Sequence, residues 1–294
     1  MLPIIQVKRV FGQAFCSVRS TASVWHVSPI AESRSKQTAA GGESLKYLRG
    51  DMRLLCTPIR YGAILYDPAR ISHPLDEDFD VNRLIEAGRL LAVGHGRGKV
   101  WFVSAREAEG SWVLRHYRRG GLLARLVRDR YLWCGGEATR AFRELRLLAA
   151  LERLDLPAAR PVAARYERSW LGYRADLLTL AIPDTQSLAA LIDKPRDLPF
   201  WRVIGRTLRR FHSAGIYHAD LNAHNVLIDG QGTVYLVDFD RGAQRTPGAW
   251  CNANISRLHR SINKLRAKQG AQVSSADWSA LLDGYAEPLS EPSR

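Results

Sequence analysis

Along most of this chain, apolar and polar positions follow one of two periods. Between residues 59 and 117 the period is near two. It predicts an edge strand at 59–66, a strand at 90–93, another at 99–103 and a third at 111–117. The last three are separated by a glycine-rich loop and a short turn, which is the pattern of an antiparallel meander. No helix follows the glycines, so the strand–loop–helix unit of a dinucleotide fold is excluded.

Beyond residue 120 the helical period takes over. The spacing predicts an amphipathic helix over 122–133, with Leu122, Leu123, Leu126 and Val127 in one stripe, and a longer helix over 138–154 ended by Leu156-Pro157. Strands at 162–166 and 173–182 return to period two. Pro183-Asp184-Thr185-Gln186 reads as a linker. Helices are then predicted at 187–193, 199–214, 255–268 and 276–285, with a hairpin formed by 226–228 and 234–237 around Asp229-Gly230-Gln231-Gly232. A mainly β half followed by a mainly α half predicts an α+β, bilobal protein with a cleft between its lobes. The expected division is an N-lobe at 52–183 and a C-lobe at 184–294. Residues 1–51 show no sustained period and are rich in Ser, Ala and Gly. They resemble a transit peptide in composition, but Met52 opens the first well-patterned segment. They are expected to be a disordered extension or a mis-assigned start.

Charge changes the picture more than composition does. The chain has 294 residues, with 43 Lys plus Arg against 29 Asp plus Glu, a formal charge of +14. Residues 115–174 alone carry 14 Arg against 6 acidic residues. Such an excess calls for an anionic partner: nucleic acid, phosphate-rich small molecules or an acidic membrane surface. No helix-turn-helix, zinc or RNA-recognition pattern supports nucleic acid, and that partner is set aside. No run is apolar enough to span a membrane. The four cysteines (Cys16, Cys56, Cys134, Cys251) are dispersed, which argues against zinc and a disulfide scaffold and for a reducing compartment.

The chemistry is concentrated in His218-Ala219-Asp220-Leu221-Asn222-Ala223-His224-Asn225, which reads H-x-D-x-x-x-x-N, and in Asp238-Phe239-Asp240 at the end of the next hairpin. Phosphoryl transfer needs a carboxylate to orient the acceptor hydroxyl and take its proton, and oxygen ligands for the divalent metal on the phosphates. Asp220 suits the first role, and Asn225 with Asp238 the second. In the β half, Gly94, Gly96 and Gly98 let backbone N–H groups come close to phosphates. Kinases grip those phosphates with a strand Lys held by a helix Glu. Here the strand offers Arg115, with Lys99 as the fallback. Glu144 is the preferred helix partner because it shares a face with Ala141, Leu148 and Leu151, whereas Glu137 sits near the helix start. His218 reads as structural. Asp240 suits a second metal neighbour or a partner for Arg241.

These motifs resemble the protein-kinase-like superfamily and, more narrowly, the lipopolysaccharide-core kinases that act on 3-deoxy-D-manno-octulosonic acid (Kdo). The matching segments are VWFV (100–103), WVLRHYRRGG (112–121), RAFRE (140–144), YRADLLTLAIP (173–183), YHADLNAHNVLI (217–228) and VYLVDFDRG (234–242). The resemblance implies ATP and magnesium (Mg2+) as cofactors. It implies the 4-hydroxyl of Kdo on a lipid A precursor as acceptor, and work at the cytoplasmic face of the bacterial inner membrane. By carry-over, Asp220 is the catalytic base, Asn225 and Asp238 are metal ligands, and Arg115 with Glu144 is the phosphate-side pair. Ala219 stands where protein kinases carry Arg, and no A-P-E motif follows Asp238, which favours a small-molecule or glycolipid kinase. Another sugar or glycolipid kinase, a protein kinase and a pseudokinase scaffold remain as alternatives, the last because the strand lacks its Lys.

Overall fold

The computed structural model describes residues 54–95, 99–107, 110–117, 131–170 and 172–288. Within them an antiparallel sheet of seven strands precedes a mainly helical region. The sheet comprises β1 (Leu55–Ile59), β2 (Gly62–Tyr66), β3 (Leu90–His95), β4 (Lys99–Ser104), β5 (Ser111–His116), β6 (Pro161–Ser169) and β7 (Gly172–Leu180), in the order β1-β2-β6-β7-β5-β4-β3. The meander expected from the period-two pattern is β3-β4-β5.

The single edge strand expected at 59–66 is instead a hairpin. The chain turns at Arg60-Tyr61, β1 takes the edge, and β2 is flanked on its far side by β6. Gly62 permits this pairing: a Cβ there would lie 1.9 Å from the carbonyl oxygen of Tyr166. A 3-10 turn at Asp76–Phe79 and helix α1 (Val81–Glu86) also went unread in the sequence. They bring Phe79 and Leu84 against Trp112 and Leu114, a second core on one face of the sheet.

Helix α2 (Arg140–Arg153) packs on the opposite face and joins the main core. The expected helix at 122–133 falls largely outside the described residues. Its last three residues are not helical: Tyr131 exchanges both backbone hydrogen bonds with Tyr173 (3.0 and 2.9 Å) and adds an extended bridge beside β7. Residues 1–51 also lie outside the described set.

The helical region comprises β8 (Gln186–Ser187), α3 (Leu188–Leu191), α4 (Leu198–Ser213), β9 (Ile216–Tyr217), β10 (Val226–Ile228), β11 (Val234–Leu236), β12 (Ala243–Gln244), α5 (Ala249–Gln269) and α6 (Ser275–Ala286). α4 carries Trp201, Ile204, Leu208 and Phe211 on one buried stripe. α5 starts six residues before the expected 255, because its first turns lack the apolar stripe that marks the rest. The bilobal α+β class expected from the sequence is the one observed.

Two glycines set how closely α4 and α6 approach. A Cβ on Gly205 would fall 2.0 Å from the Leu281 carbonyl oxygen, and one on Gly284 would fall 2.2 Å from that of Arg202. Alanine favours an isolated helix by about 1 kcal/mol over glycine, but here the clash is with backbone, which cannot rotate away. Gly205→Ala should therefore cost a net ~2 kcal/mol, read as a lower urea midpoint at unchanged slope.

A buried histidine makes stability depend on pH. His212 is 3% exposed, and its Nδ1 shares a 2.7 Å hydrogen bond with the Tyr285 hydroxyl. Burial, with Arg209 and His218 adding, lowers its pKa from 6.5 to about 4. The unfolded chain therefore binds a proton below pH 6.5 that the folded chain refuses until about pH 4. The neutral form's contribution is complete above pH 6.5 and is lost as pH falls through that window, by about 3 kcal/mol. His212→Gln should flatten unfolding free energy against pH between 6.5 and 4; an unchanged slope would assign the dependence to other groups.

Candidate active site

The loop between β9 and β10 holds itself together from within. His218 donates from Nε2 to the Val237 carbonyl (2.9 Å), leaving Nδ1 to accept the Asp220 backbone N–H (3.2 Å). Asn254 of α5 clamps the same residue, accepting its N–H (3.2 Å) and donating to its carbonyl (3.0 Å). Burial lowers the His218 pKa. His218 is thus a neutral strut between the loop and the end of β11, in line with its structural reading.

Asp220 is anchored through its backbone. Its carbonyl oxygen accepts from the side-chain amides of Asn222 and Asn225, both at 2.9 Å. Its carboxylate is left for the cleft, where Oδ1 accepts from Arg257 Nη1 of α5 at 3.0 Å. Because Asn225 spends its nitrogen on the loop, its amide oxygen is the atom available to a cation.

Asp238 follows β11 after Val237, with a backbone φ of +64°, the left-handed region that few non-glycine residues occupy. Phe239 behind it is fully buried, 5.8 Å from Phe211 between ring centres and 4.8 Å from His218. That anchor fixes where the two flanking carboxylates emerge.

Both carboxylates are tied to the sheet side. On β5, Trp112 and Leu114 face one core while Val113 and Arg115 face the cleft, as strand alternation requires. Arg115 donates through Nη2 to Glu144 Oε2 of α2 at 2.5 Å and through Nη1 to Asp238 Oδ1. Tyr117, two residues on and so on the same face, donates its hydroxyl to Glu144 Oε2. One turn before Glu144 on α2, Arg140 donates from Nε to Asp240 Oδ1 at 2.7 Å. The partner of Asp240 is therefore Arg140 rather than Arg241. Glu137 lies outside this network and pairs with Arg146.

Charge within the network follows from these contacts. Burial works against the Arg115 cation, but Asp238 and Glu144 outweigh it and keep it charged. Burial pushes the Glu144 carboxyl up, with Asp238 adding to the rise against the pull of Arg115. Burial would raise Asp238, yet Arg115, with Arg140 adding, holds it below the usual carboxylate range. Burial and Glu144 push the Tyr117 hydroxyl well above 10, so it remains a donor.

Asp220, Asn225, Asp238, Arg115 and Glu144 all line one cleft of about 1080 Å³. Val100, Val113, Leu177, Leu180 and Leu227 form an apolar wall, whereas α5 supplies a cationic one. Of the glycine trio, Gly94 lies in β3 opposite Val100; Gly96 and Gly98 lie outside the described residues. Lys99 belongs to β4 and its side chain is likewise undescribed. Tyr117, Arg140 and Arg257 were missed by sequence reasoning. The first two had a signal in their spacing from Arg115 and Glu144, and Arg257 had none.

The donor set suits magnesium. Among the described residues no group of three or more His, Cys, Asp or Glu is placed to hold a metal. One amide oxygen and one carboxylate, completed by phosphate oxygens and water, are the usual provision for this ion.

A sheet cation locked to a helix carboxylate, facing an Asp-Asn loop and an Asp-Phe-Asp segment across an interlobe cleft, defines a phosphotransferase with a protein-kinase-like fold. Within that class the chain belongs to the lipopolysaccharide kinase (Kdo/WaaP) family, whose model matches residues 83–285. It is 44% identical over 234 residues to a 3-deoxy-D-manno-octulosonic acid kinase of Xanthomonas campestris pv. campestris, covering 78% of this chain and 93% of the relative. It is 44% identical over 227 residues to the protein of that name from Stenotrophomonas maltophilia (76% and 89% covered), and 42% identical over 235 residues to that of Xylella fastidiosa (78% and 92%).

Proposed function

We propose that this chain transfers the γ-phosphoryl group of ATP to the 4-hydroxyl of a Kdo residue on a lipid A precursor. The observation that carries the reading is the convergence of Asp220, Asn225 and Asp238 with the Arg115–Glu144 pair in one cleft, in a chain whose relatives are Kdo kinases. Asp220 orients the acceptor hydroxyl and accepts its proton as the oxygen bonds to the γ-phosphorus and the bond to ADP breaks. Arg115 offers its guanidinium to phosphate oxygens while Glu144 and Tyr117 hold it in place. Asn225 and Asp238 would hold magnesium, which would neutralise charge on the phosphates. The apolar wall suits the flat faces of a nucleobase. Among the described residues no helix is long and apolar enough to cross a membrane; attachment at the cytoplasmic face of the inner membrane, aided by basic residues, is part of the same reading.

Purified full-length protein, ATP, magnesium and a Kdo-bearing lipid A precursor should yield a product heavier by one phosphate in the mass spectrum. Phosphorus-coupled NMR of that product should place the group on the 4-oxygen. No mass gain with a precursor that an authentic Kdo kinase modifies would refute the assignment, and a panel of heptose and aminoglycoside acceptors would then find the true one.

A further inference from the structure

The cationic wall of the cleft comes from a single helix. Arg257, Arg260, Lys264 and Lys268 follow one another on α5 at steps of three, four and four residues, so they stand along one face, and all line the cleft. From first to last the row runs about 16 Å at 1.5 Å per residue. Leu258, Ile262 and Leu265, round the helix from the row, are buried and seat it, with Leu265 at the edge of the cleft. Arg257 is engaged with Asp220. Arg260, Lys264 and Lys268 are exposed, and among the described residues no carboxylate lies within ion-pair distance of them.

Apart from Lys268, which the last turn of α5 favours through the helix dipole, such a row gains little structurally. Like charges one turn apart weaken a helix, and arginines that turn inward elsewhere, such as Arg70 with Asp67 and Glu152, Arg89 with Asp78 and Arg165 with Asp176, have carboxylate partners. A solvated basic face is the ordinary outcome when it looks onto open surface, but this one looks into the cleft. Its position argues for the acceptor rather than the nucleotide. The row starts at the residue touching Asp220, on the side where the acceptor hydroxyl must sit, whereas the phosphates have Arg115, Asn225 and Asp238. Its length exceeds what one phosphate or carboxylate can occupy.

We propose that Arg260, Lys264 and Lys268 form an anion-binding subsite for the acceptor, recognising carboxylate or phosphate groups set back from the hydroxyl that is phosphorylated. The subsite selects a polyanionic acceptor over a neutral sugar. It rests on Asp220 being the group that receives the acceptor hydroxyl.

The test is the full-length chain carrying R260Q, K264Q and K268Q together, with K264Q alone as a milder variant. An unchanged ATP–magnesium thermal shift establishes that each variant is folded. The triple variant should raise KM for the Kdo-bearing lipid A precursor about tenfold or more, with KM for ATP–magnesium within about twofold of the parent. The parent's acceptor KM should rise with salt and the variant's should not. An acceptor KM that stays within twofold overturns the proposal, as does an equal rise for ATP, which would give the row to the nucleotide. A second arm needs no turnover. Calorimetric titration with an acyl-free, bisphosphorylated glucosamine disaccharide should show binding by the parent that weakens about tenfold in the triple variant and is absent for the dephosphorylated sugar. Equal binding by parent and variant overturns the subsite. Row-dependent binding without transfer to any Kdo acceptor would leave the subsite standing and reject the Kdo assignment alone.

Discussion

Asp220→Ala should reduce turnover of the Kdo-bearing acceptor by about 10³-fold or more while leaving the fold and ATP affinity nearly intact. The magnitude follows from the role: a positioned carboxylate taking a proton as phosphorus–oxygen bonding develops. The selectivity follows from how the loop is built. Asn222 and Asn225 bind the carbonyl oxygen of residue 220, and His218 receives its N–H, so the scaffold of the loop survives deletion of the side chain. The carboxylate itself is 36% exposed and contacts Arg257 at 3.0 Å, a pair whose loss costs stability little. Steady-state kinetics with a thermal-shift titration of ATP–magnesium separates the outcomes. A variant with unchanged KM for ATP and collapsed kcat has lost the base. A variant that no longer binds nucleotide, or that melts well below the parent, would show that residue 220 is structural and would move the base elsewhere in the cleft.

How far the sequence could be read depended on the range of the interactions. Local period determined the meander, α2, α4 and the β10–β11 hairpin, because alternation and helical stripes are written within a few residues. Glu144 was distinguishable from Glu137 on the same ground, since its face is shared with Ala141, Leu148 and Leu151. The turn at Arg60-Tyr61 was not legible, because the reason Gly62 is needed lies about a hundred residues away at Tyr166. Helix α1 is too short for its period to register. Arg257 reaches Asp220 across 37 positions, and Arg140 meets Asp240 across 100; such pairs become visible only when the chain has folded. The motif residues were legible as a set because phosphoryl transfer demands their types at their spacing. What the motif did not disclose is the lattice behind it, in which one turn of α2 reaches both carboxylates of Asp238-Phe239-Asp240, directly through Arg140 and indirectly through Glu144 and Arg115.

That lattice sets up the second large effect. Arg115→Met should cost about 3 kcal/mol of stability and abolish measurable ATP binding, whereas Arg115→Met combined with Glu144→Leu should regain most of the stability and none of the binding. Glu144 is 3% exposed, and among the described residues its side-chain partners are Arg115 and Tyr117. Removing the guanidinium leaves a buried carboxyl that burial already pushes upward. With its counter-charge gone it should hold its proton to still higher pH. The sign follows: above its ordinary value the unfolded chain releases that proton and the folded chain keeps it, so the single variant loses stability as pH rises through that window. Replacing both partners with apolar side chains removes the buried unpaired charge of Glu144 and its pH dependence together, because a buried ion pair contributes little net stability over well-packed hydrocarbon; Asp238, the other partner of Arg115, keeps its carboxylate at the half-exposed mouth of the cleft. Arg115→Lys is the informative intermediate. One ammonium keeps the charge found at this place in most kinases, but it lacks the fork that spans Glu144 and Asp238 at once, so it should bind ATP more weakly, by about tenfold, at modest cost in stability. Urea unfolding at several pH values, alongside ATP–magnesium titration, resolves all three. If the double variant stayed as unstable as the single one, the pair would be a packing element. If Arg115→Met bound ATP like the parent, the phosphate-side cation would have to be sought elsewhere along the glycine-rich strands.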